Sequence, residues 1–270
     1  MTDFWQMYWS GCVLILGLCF GSFLNVCIYR IPNEKSLSWP PSSCPKCNSR
    51  IQWYDNIPVL SWLILRAKCR KCKLPISVGY PLIELLTGLM FLATFLLYGW
   101  SWVTPVYCLT IFGLLLGTFI DLKYMILPDR VTIGGMVLAP VFSYFIPHLH
   151  GYGLDRLDAL KSSLIGLAVG FVLFWTIRKL GTLAFKKEAM GFGDVKLMGA
   201  LGALFGWQSI LFITFFSALV GTVVSLGLMG LSRKGLDSQV PFGPFLTLSA
   251  FFWMFGGFHL WDAYCAFSGF

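Results

Sequence analysis

The sequence predicts an all-α polytopic membrane protein with roughly eight transmembrane helices and one small soluble insert. Hydrophobic residues make up 57% of the 270 residues, charged residues only 12%, and the mean hydropathy is +0.75. A soluble domain is about 45–50% apolar and about 25% charged, so the surplus apolar surface requires lipid. These proportions exclude a disordered chain, a coiled coil and a disulfide-stapled secreted domain.

Eight apolar runs predict the membrane spans, and the sixth is short and rich in glycine. The runs lie at 10–29, 80–98, 103–120, 131–147, 158–177, 195–206, 209–231 and 241–261. The chain starts MTDFWQMYWS, which lacks the basic region and small-x-small site of a secretory signal. We therefore expect the first run to be retained as a span. The predicted organisation is a first span (1–29), a soluble insert (30–79) and a membrane core (80–270).

The distribution of basic residues predicts the topology. If the N-terminus lies outside, 18 of the 20 Lys and Arg residues fall in inside segments, as the positive-inside rule requires. Those segments are 30–79, 121–130, 178–196 and 232–240. Both termini are then outside and the insert is cytoplasmic. The net charge of +8 is thus explained without nucleic acid, since no basic stripe with interleaved aromatics occurs outside the insert.

The insert contains two CxxC pairs, Cys44–Cys47 and Cys69–Cys72. Each pair can place two thiolates on one turn, and two facing turns complete a tetrahedral S4 site. This spacing is close to the zinc-ribbon pattern and predicts a structural zinc that holds a segment too small for a large apolar core. A redox CxxC pair is the alternative, disfavoured in a reducing cytosol; an unliganded cluster or another metal also stays open.

Four carboxylates lie at predicted membrane boundaries, namely Glu84, Asp121, Asp129 and Asp194. Asp121 ends the third span, where a carboxylate is costly and suggests function. Asp194 follows Gly191-Phe192-Gly193 and opens the sixth span on the same side. Two such carboxylates within hydrogen-bond reach can share a proton and act as general base and general acid. Asp129 follows Pro128, and an acid in the first turn of a helix has a structural explanation.

Taken in order, these motifs resemble the type IV prepilin peptidases, GxGD aspartic proteases of bacterial cytoplasmic membranes. The resemblance covers nearly the whole chain, and Ala67 is a small departure where the family usually has glycine. The motifs are GSFLN (21–25), RIP (30–32), the CxxC pairs, YDNIP (54–58), GYPLIE (79–84), Asp121, LPD (127–129), MGFGDVK (190–196) and PFGP (241–244).

The resemblance implies two activities on the cytoplasmic face of the inner membrane. The first is cleavage of the basic leader of prepilins or pseudopilins after a glycine, with Asp121 and Asp194 as the catalytic pair and Asp129 outside it. The second is methylation of the new N-terminal residue with S-adenosylmethionine. For the methyl-donor site, the insert and the start of the second span, including Glu84, are candidates, since no Gly-rich βαβ unit occurs.

Three rival functions are disfavoured by the same features. A transporter would place its carboxylates near the bilayer midplane between repeats, and no repeat is evident. A quinone-coupled thiol oxidase would carry its CxxC pairs outside. A presenilin-type GxGD protease would lack the four-cysteine insert.

Overall fold

The computed structural model describes residues 2–151, 155–188, 190–231 and 241–268, and this part of the chain is helical with no β-strand. The helices are α1 (Thr2–Arg30), α2 (Leu60–Ile64), α3 (Gly79–Tyr98), α4 (Val103–Tyr124), α5 (Asp129–Phe145), α6 (Arg156–Phe185), α7 (Phe192–Phe205), α8 (Trp207–Leu231), α9 (Gly243–Phe252) and α10 (Phe258–Ser268). A π-helical segment with a kink at Gly256 joins α9 to α10. Each predicted apolar run coincides with a helix, so the helical membrane fold is confirmed.

Five of the described helices are long and apolar enough to cross a membrane, namely α1, α3, α4, α6 and α8. The helices α5, α7 and α9 have 17, 14 and 10 residues, fewer than the about 20 residues of a full crossing. The count of about eight spans therefore stays a prediction. The predicted inside segment 232–240 lies outside the described residues.

The chain divides into two compact units, Met1–Leu116 and Gly117–Phe270. In the first unit, α1 packs closely on α3 through small residues. A Cβ at Gly21 would lie 2.6 Å from Glu84 Cα, and one at Gly17 would lie 2.8 Å from Gly88 Cα. Glycines four residues apart let two helix backbones approach closely in a membrane, so this pairing depends on glycine.

In the second unit, α6 and α7 make an even closer contact. A Cβ at Gly166 would overlap the carbonyl oxygen of Gly202, and a Cβ at Gly202 would overlap that of Gly166. From Asp194 to Phe205, every residue of α7 except Lys196 is buried. A helix so enclosed by its neighbours contacts protein rather than lipid, which explains how a short, glycine-rich run forms a central helix.

Candidate functional site

Asp121 lies in the last turn of α4 and is buried, with 7% of its surface exposed. The backbone N–H of Gly243 donates a 3.1 Å hydrogen bond to Asp121 Oδ2. A Cβ at Gly243 would lie 2.6 Å from that same oxygen. A side chain at this position would displace the carboxylate, so glycine is required for the N–H to reach it. The PFGP motif thus supplies a donor to Asp121, a role that the sequence alone did not indicate.

Asp194 lies in the first turn of α7 and is buried to the same degree, with 7% exposed. The backbone N–H of Gly191, the residue that precedes the helix, donates to its carboxylate. The free N–H groups and dipole of a helix N-terminus also favour a carboxylate there. Both predicted aspartates are therefore buried at helix ends and hydrogen-bonded to glycine N–H groups.

Leu127 connects the surroundings of the two aspartates. A Cβ at Gly193 would lie 2.7 Å from Leu127 Cβ, and a Cβ at Gly117 of α4 would lie 3.2 Å from Leu127 Cδ2. One side chain thus lies against the α4 turn that precedes Asp121 and against the first turn of α7, which carries Asp194. The two carboxylates also interact electrostatically. Both aspartates lie in the second unit, Gly117–Phe270.

Asp129, by contrast, is an exposed carboxylate that pairs with a lysine. It lies in the first turn of α5, and its side chain is 63% exposed. Its Oδ1 forms an ion pair with Lys196 Nζ at a distance of 2.6 Å. The Lys196 ammonium also lies 5.1 Å from the centre of the Phe192 ring. The contacts of Asp129 therefore favour a structural role for this residue over a catalytic one.

Arg178 of α6 is a residue near the aspartates that sequence reasoning missed. Its Nε donates to the carbonyl oxygen of Met190 (3.1 Å), and its guanidinium pairs with Glu188 (3.1 Å) and lies 5.5 Å from the Phe192 ring centre. It thereby holds the segment before Asp194. A basic residue at the end of a span is expected on topology alone, so nothing in the sequence distinguished it.

The four predicted metal ligands converge. The sulfur atoms of Cys44, Cys47, Cys69 and Cys72 all lie within 4.8 Å of one another, and the Cys44 and Cys72 sulfurs are 3.9 Å apart. Four sulfurs at about 2.3 Å from one zinc ion stand about 3.8 Å apart in a tetrahedron. The thiols present therefore fit Zn²⁺.

Two matching backbone turns build this cluster. In the first turn, the N–H of Cys44 donates to the carbonyl oxygen of Ser49, and the N–H of Asn48 donates to that of Cys44. In the second, the N–H of Cys69 donates to the carbonyl oxygen of Leu74, and the N–H of Lys73 donates to that of Cys69. The residue after each CxxC is left-handed, with φ of 55° at Asn48 and 58° at Lys73. Each turn directs two sulfurs to one side, as the spacing predicted.

The thiols of the cluster differ in acidity. The Ser49 hydroxyl, 2.9 Å from the Cys47 sulfur, lowers the pKa of Cys47 to about 6. Backbone N–H groups of Cys72 and Lys71 lower the pKa of Cys69. These hydrogen bonds favour the thiolate, the zinc-binding form, at Cys47 and Cys69, whereas burial and the neighbouring thiols raise the pKa of Cys72 to about 11.

Glu84, the fourth boundary carboxylate, connects α3 to the insert. Its Oε2 accepts a 2.7 Å hydrogen bond from the N–H of Val59, and Ser22 of α1 also bonds to its carboxylate. Val59 has φ 60° and ψ −51°, and Leu60 N–H donates to Pro58 across it at 2.6 Å. This is a γ-turn of the strained type, which the Glu84 hydrogen bond helps to hold.

One cavity of about 330 Å³ lies in the first unit. Its walls carry hydroxyl, amide, guanidinium and aromatic groups but no carboxylate. It is lined by Cys19, Ser22, Phe23, Val26, Arg30, Leu37, Ser38, Pro40, Pro41, Ser42, Asn56 and Pro58. Arg30 shapes it by donating to the carbonyl oxygens of Ser36, Leu37 and Pro40.

Two family models match the chain. The bacterial peptidase A24 N-terminal domain matches residues 15–98, and the type IV leader peptidase family matches residues 108–226. The first match covers most of α1, the insert and α3, and the second contains both Asp121 and Asp194.

Several curated relatives carry the name prepilin leader peptidase/N-methyltransferase. The Myxococcus xanthus protein is 42% identical over 226 residues, which are 83% of this chain and 64% of that protein. The Pectobacterium carotovorum protein is 36% identical over 96% of this chain and 99% of its own length, and that of Pseudomonas aeruginosa is 31% identical over 96% and 94%. The chain therefore spans less than two thirds of the Myxococcus relative but nearly all of the other two. No solved structure matches the chain.

Proposed function

Because this chain belongs to the type IV leader peptidase family, we propose that it cleaves the leader of prepilins or pseudopilins after a glycine and methylates the new N-terminus. The relatives' printed names support both activities. The membrane-spanning helices and these bacterial relatives support a multi-pass protein of the bacterial inner membrane.

Asp121 and Asp194 are the proposed catalytic pair. The observation that carries this assignment is that both carboxylates are buried, near each other, and bonded to backbone N–H groups. We propose that the pair carries one proton during the reaction, because two carboxylates that come close together do not both ionise. The ionised carboxylate takes a proton from water, which attacks the scissile carbonyl, and the protonated one gives its proton to the carbonyl oxygen.

The tetrahedral intermediate then breaks its C–N bond. The carboxylic acid formed in the first step protonates the leaving amine, while the other carboxylate recovers its proton from the hydroxyl that becomes the new carbonyl. Gly243 N–H holds Asp121 in place throughout, because a backbone donor at a glycine does not change rotamer. The pair returns to its singly protonated state, so the cycle balances.

The proposed metal is a structural zinc held by Cys44, Cys47, Cys69 and Cys72. A site closed by four sulfurs has no open coordination position for a substrate. The zinc would supply no chemistry to the cleavage and would instead fix the two turns of the insert. We keep the organisation into a first span (1–29), an insert (30–79) and a membrane core (80–270) as part of this proposal.

The methyl donor is proposed as S-adenosylmethionine, but the described residues do not define its site. Glu84, the candidate from sequence, has its carboxylate engaged by Val59 and Ser22. The cavity beside α1 offers no carboxylate for the ribose hydroxyls or the sulfonium. We therefore assign no residue to methyl transfer.

The sidedness follows from charge. With eight spans and the N-terminus outside, 18 of the 20 basic residues fall on the side that carries the insert and both aspartates, and the positive-inside rule would place that side in the cytoplasm. The basic leader of a prepilin would meet the pair there.

The test is incubation of the purified protein, in lipid, with a prepilin and isotopically labelled S-adenosylmethionine, followed by mass spectrometry of the pilin N-terminus. We expect loss of the leader at a glycine bond and one labelled methyl group on the new amine. Cleavage without a labelled methyl group would refute the proposed methylation. An intact leader after incubation with folded enzyme would refute the proposed cleavage.

A further inference from the structure

The insert carries an apolar surface with no partner among the described residues. Leu60, Leu63 and Ile64 of α2 are 57%, 57% and 73% exposed, Ile57 is 41% exposed and Trp53 is 80% exposed. We define residues 53–64 as the apolar segment. In a soluble loop such side chains would face water, so their surroundings need an explanation.

The depth of the apolar segment is set by its hydrogen bond to α3. Helix α3 has 20 residues and is about 30 Å long, the thickness of the hydrocarbon core. Glu84 is five residues into it, about 7.5 Å below its start. Because Val59 N–H lies 2.7 Å from Glu84 Oε2, the apolar segment reaches the level of the first turns of a membrane span.

The cavity beside α1 extends from the helix end toward the membrane core. Asn56 and Pro58 line it together with both Cys19 and Arg30, which lie eleven residues apart on α1. Helix α1 has 29 residues and exceeds a 30 Å hydrocarbon core by about 13 Å. Even if all of this excess protruded on the insert side, Cys19, about 16 Å from the helix end, would lie within hydrocarbon.

The backbone of the segment is prepared for an environment without water. The N–H groups of Ile57, Val59, Leu60 and Ser61 all donate within the protein, to Ser61 Oγ, Glu84, Pro58 and Ile57 respectively. The hydroxyl of Ser61 donates to the carbonyl oxygen of Tyr54, and residue 58 is proline. Irregular backbone is tolerated at membrane depth where it is buried in protein or lines a cavity, as Val59 does against Glu84 of α3 and Asn56 and Pro58 do at the cavity.

Charge and aromatic residues frame the segment as they frame a membrane boundary. Trp53 and Tyr54 stand at its start, and Arg66, Lys68 and Arg70 follow its end. Aromatic side chains favour the headgroup level, and basic side chains are attracted to anionic lipid. On α3, Leu82, Leu85 and Leu89 are exposed as well, so a lipid-facing surface already exists at this depth.

From these observations we propose that residues 57–64 of the apolar segment are embedded in the bilayer, with Leu60, Leu63 and Ile64 in contact with the acyl chains of an anionic leaflet. The insert is then not a domain suspended in water. The two cysteine turns face water, and the segment between them enters the lipid. This proposal does not depend on the catalytic assignment.

The test uses the unmodified protein in bilayers of phosphatidylethanolamine and phosphatidylglycerol that contain a lipid with a diazirine on its acyl chain. After illumination, digestion and mass spectrometry locate the labelled residues. We expect labels on residues 60–64 to the same extent as on Leu82–Leu89 of α3, and none on residues 44–50 of the first cysteine turn. Label on α3 with none on residues 60–64 would overturn the proposal.

A second arm separates lipid from substrate. A prepilin carrying the diazirine on its apolar segment replaces the labelled lipid in otherwise identical membranes. If the prepilin labels residues 60–64 and the lipid does not, the surface binds substrate and the proposal is wrong. Labelling by lipid that persists at saturating prepilin supports it.

Discussion

The cysteine insert and the aspartate region are stabilised in opposite ways. Between residues 31 and 78, the buried residues are Cys44 and Ser61, whereas α7 is buried over almost its whole length. The insert is ordered by four thiols, the two matching turns and a bidentate Arg70–Asp55 ion pair with N–O distances of 2.6 and 2.8 Å. The aspartate region is ordered by helices whose backbones touch at glycines. The two regions should therefore fail for different reasons when they are perturbed.

The largest expected effect is chemical and confined to the aspartate region. Asp121→Asn or Asp194→Asn should lower cleavage by several orders of magnitude, because each removes one member of the proton-sharing pair. The folded protein should remain, since the amide preserves the shape of the side chain. Rates are measured on a prepilin in lipid.

The matched control for the pair is Asp129→Asn, which changes an exposed carboxylate bonded to Lys196. It should retain most of the cleavage rate. Near wild-type cleavage by the Asp121 variant, or equal losses in all three, would refute the assignment of the pair.

The next largest effect should come from packing. Gly202→Leu places a side chain where even a Cβ would overlap the Gly166 carbonyl, and overpacking of this kind costs about 1–3 kcal/mol or more. We expect loss of folded protein, measured by size-exclusion chromatography and thermal unfolding. Gly134→Leu is the control, since no atom lies within 4 Å of a Cβ there. Equal behaviour of the two variants would mean that the α6–α7 contact does not limit stability.

The third effect concerns the metal and separates the two activities. Cys44→Ser with Cys47→Ser should abolish zinc binding and increase hydrogen exchange over residues 30–79, because the insert has few other means of folding. We expect methylation to fall further than cleavage, since the aspartates lie in the second unit. Elemental analysis, hydrogen exchange and both activity assays measure this outcome.

The control for this prediction is Cys12→Ser, which changes a cysteine of α1 outside the cluster and should leave zinc content unchanged. Absence of zinc from wild-type protein never exposed to chelator would disprove the metal assignment. Equal loss of cleavage and methylation would show that the insert supports the whole protein.

The smallest effect is expected from the Lys196–Asp129 ion pair. Since Asp129 is 63% exposed, a double-mutant cycle with Asp129→Asn and Lys196→Gln should give a coupling of about 0.2–1 kcal/mol that weakens with salt. Thermal or denaturant unfolding in lipid provides the four free energies. A coupling several times larger would mean that this exposed pair is a main contact between α5 and α7.

The cysteine cluster could be predicted because its information is local. A CxxC pair closes one turn, and the left-handed residues Asn48 and Lys73 complete turns that need no distant partner. The contacts of the aspartates are different in kind. Gly243 follows Asp121 by 122 residues, and no pattern near either residue indicates that one donates to the other.

What the sequence determined by itself is the helical membrane fold, the family, and the residue types from which a cysteine cluster and a carboxylate pair could be built. The membrane fold follows from the hydrophobicity and length of the apolar runs, and the motifs follow from short spacings between residues in the sequence. Tertiary structure alone decided that Arg178 holds the loop before Asp194, that Glu84 bonds the insert at Val59, and that Gly243 donates to Asp121. Each of these joins residues that are distant in the sequence, and whether they meet is a property of packed surfaces rather than of any single segment.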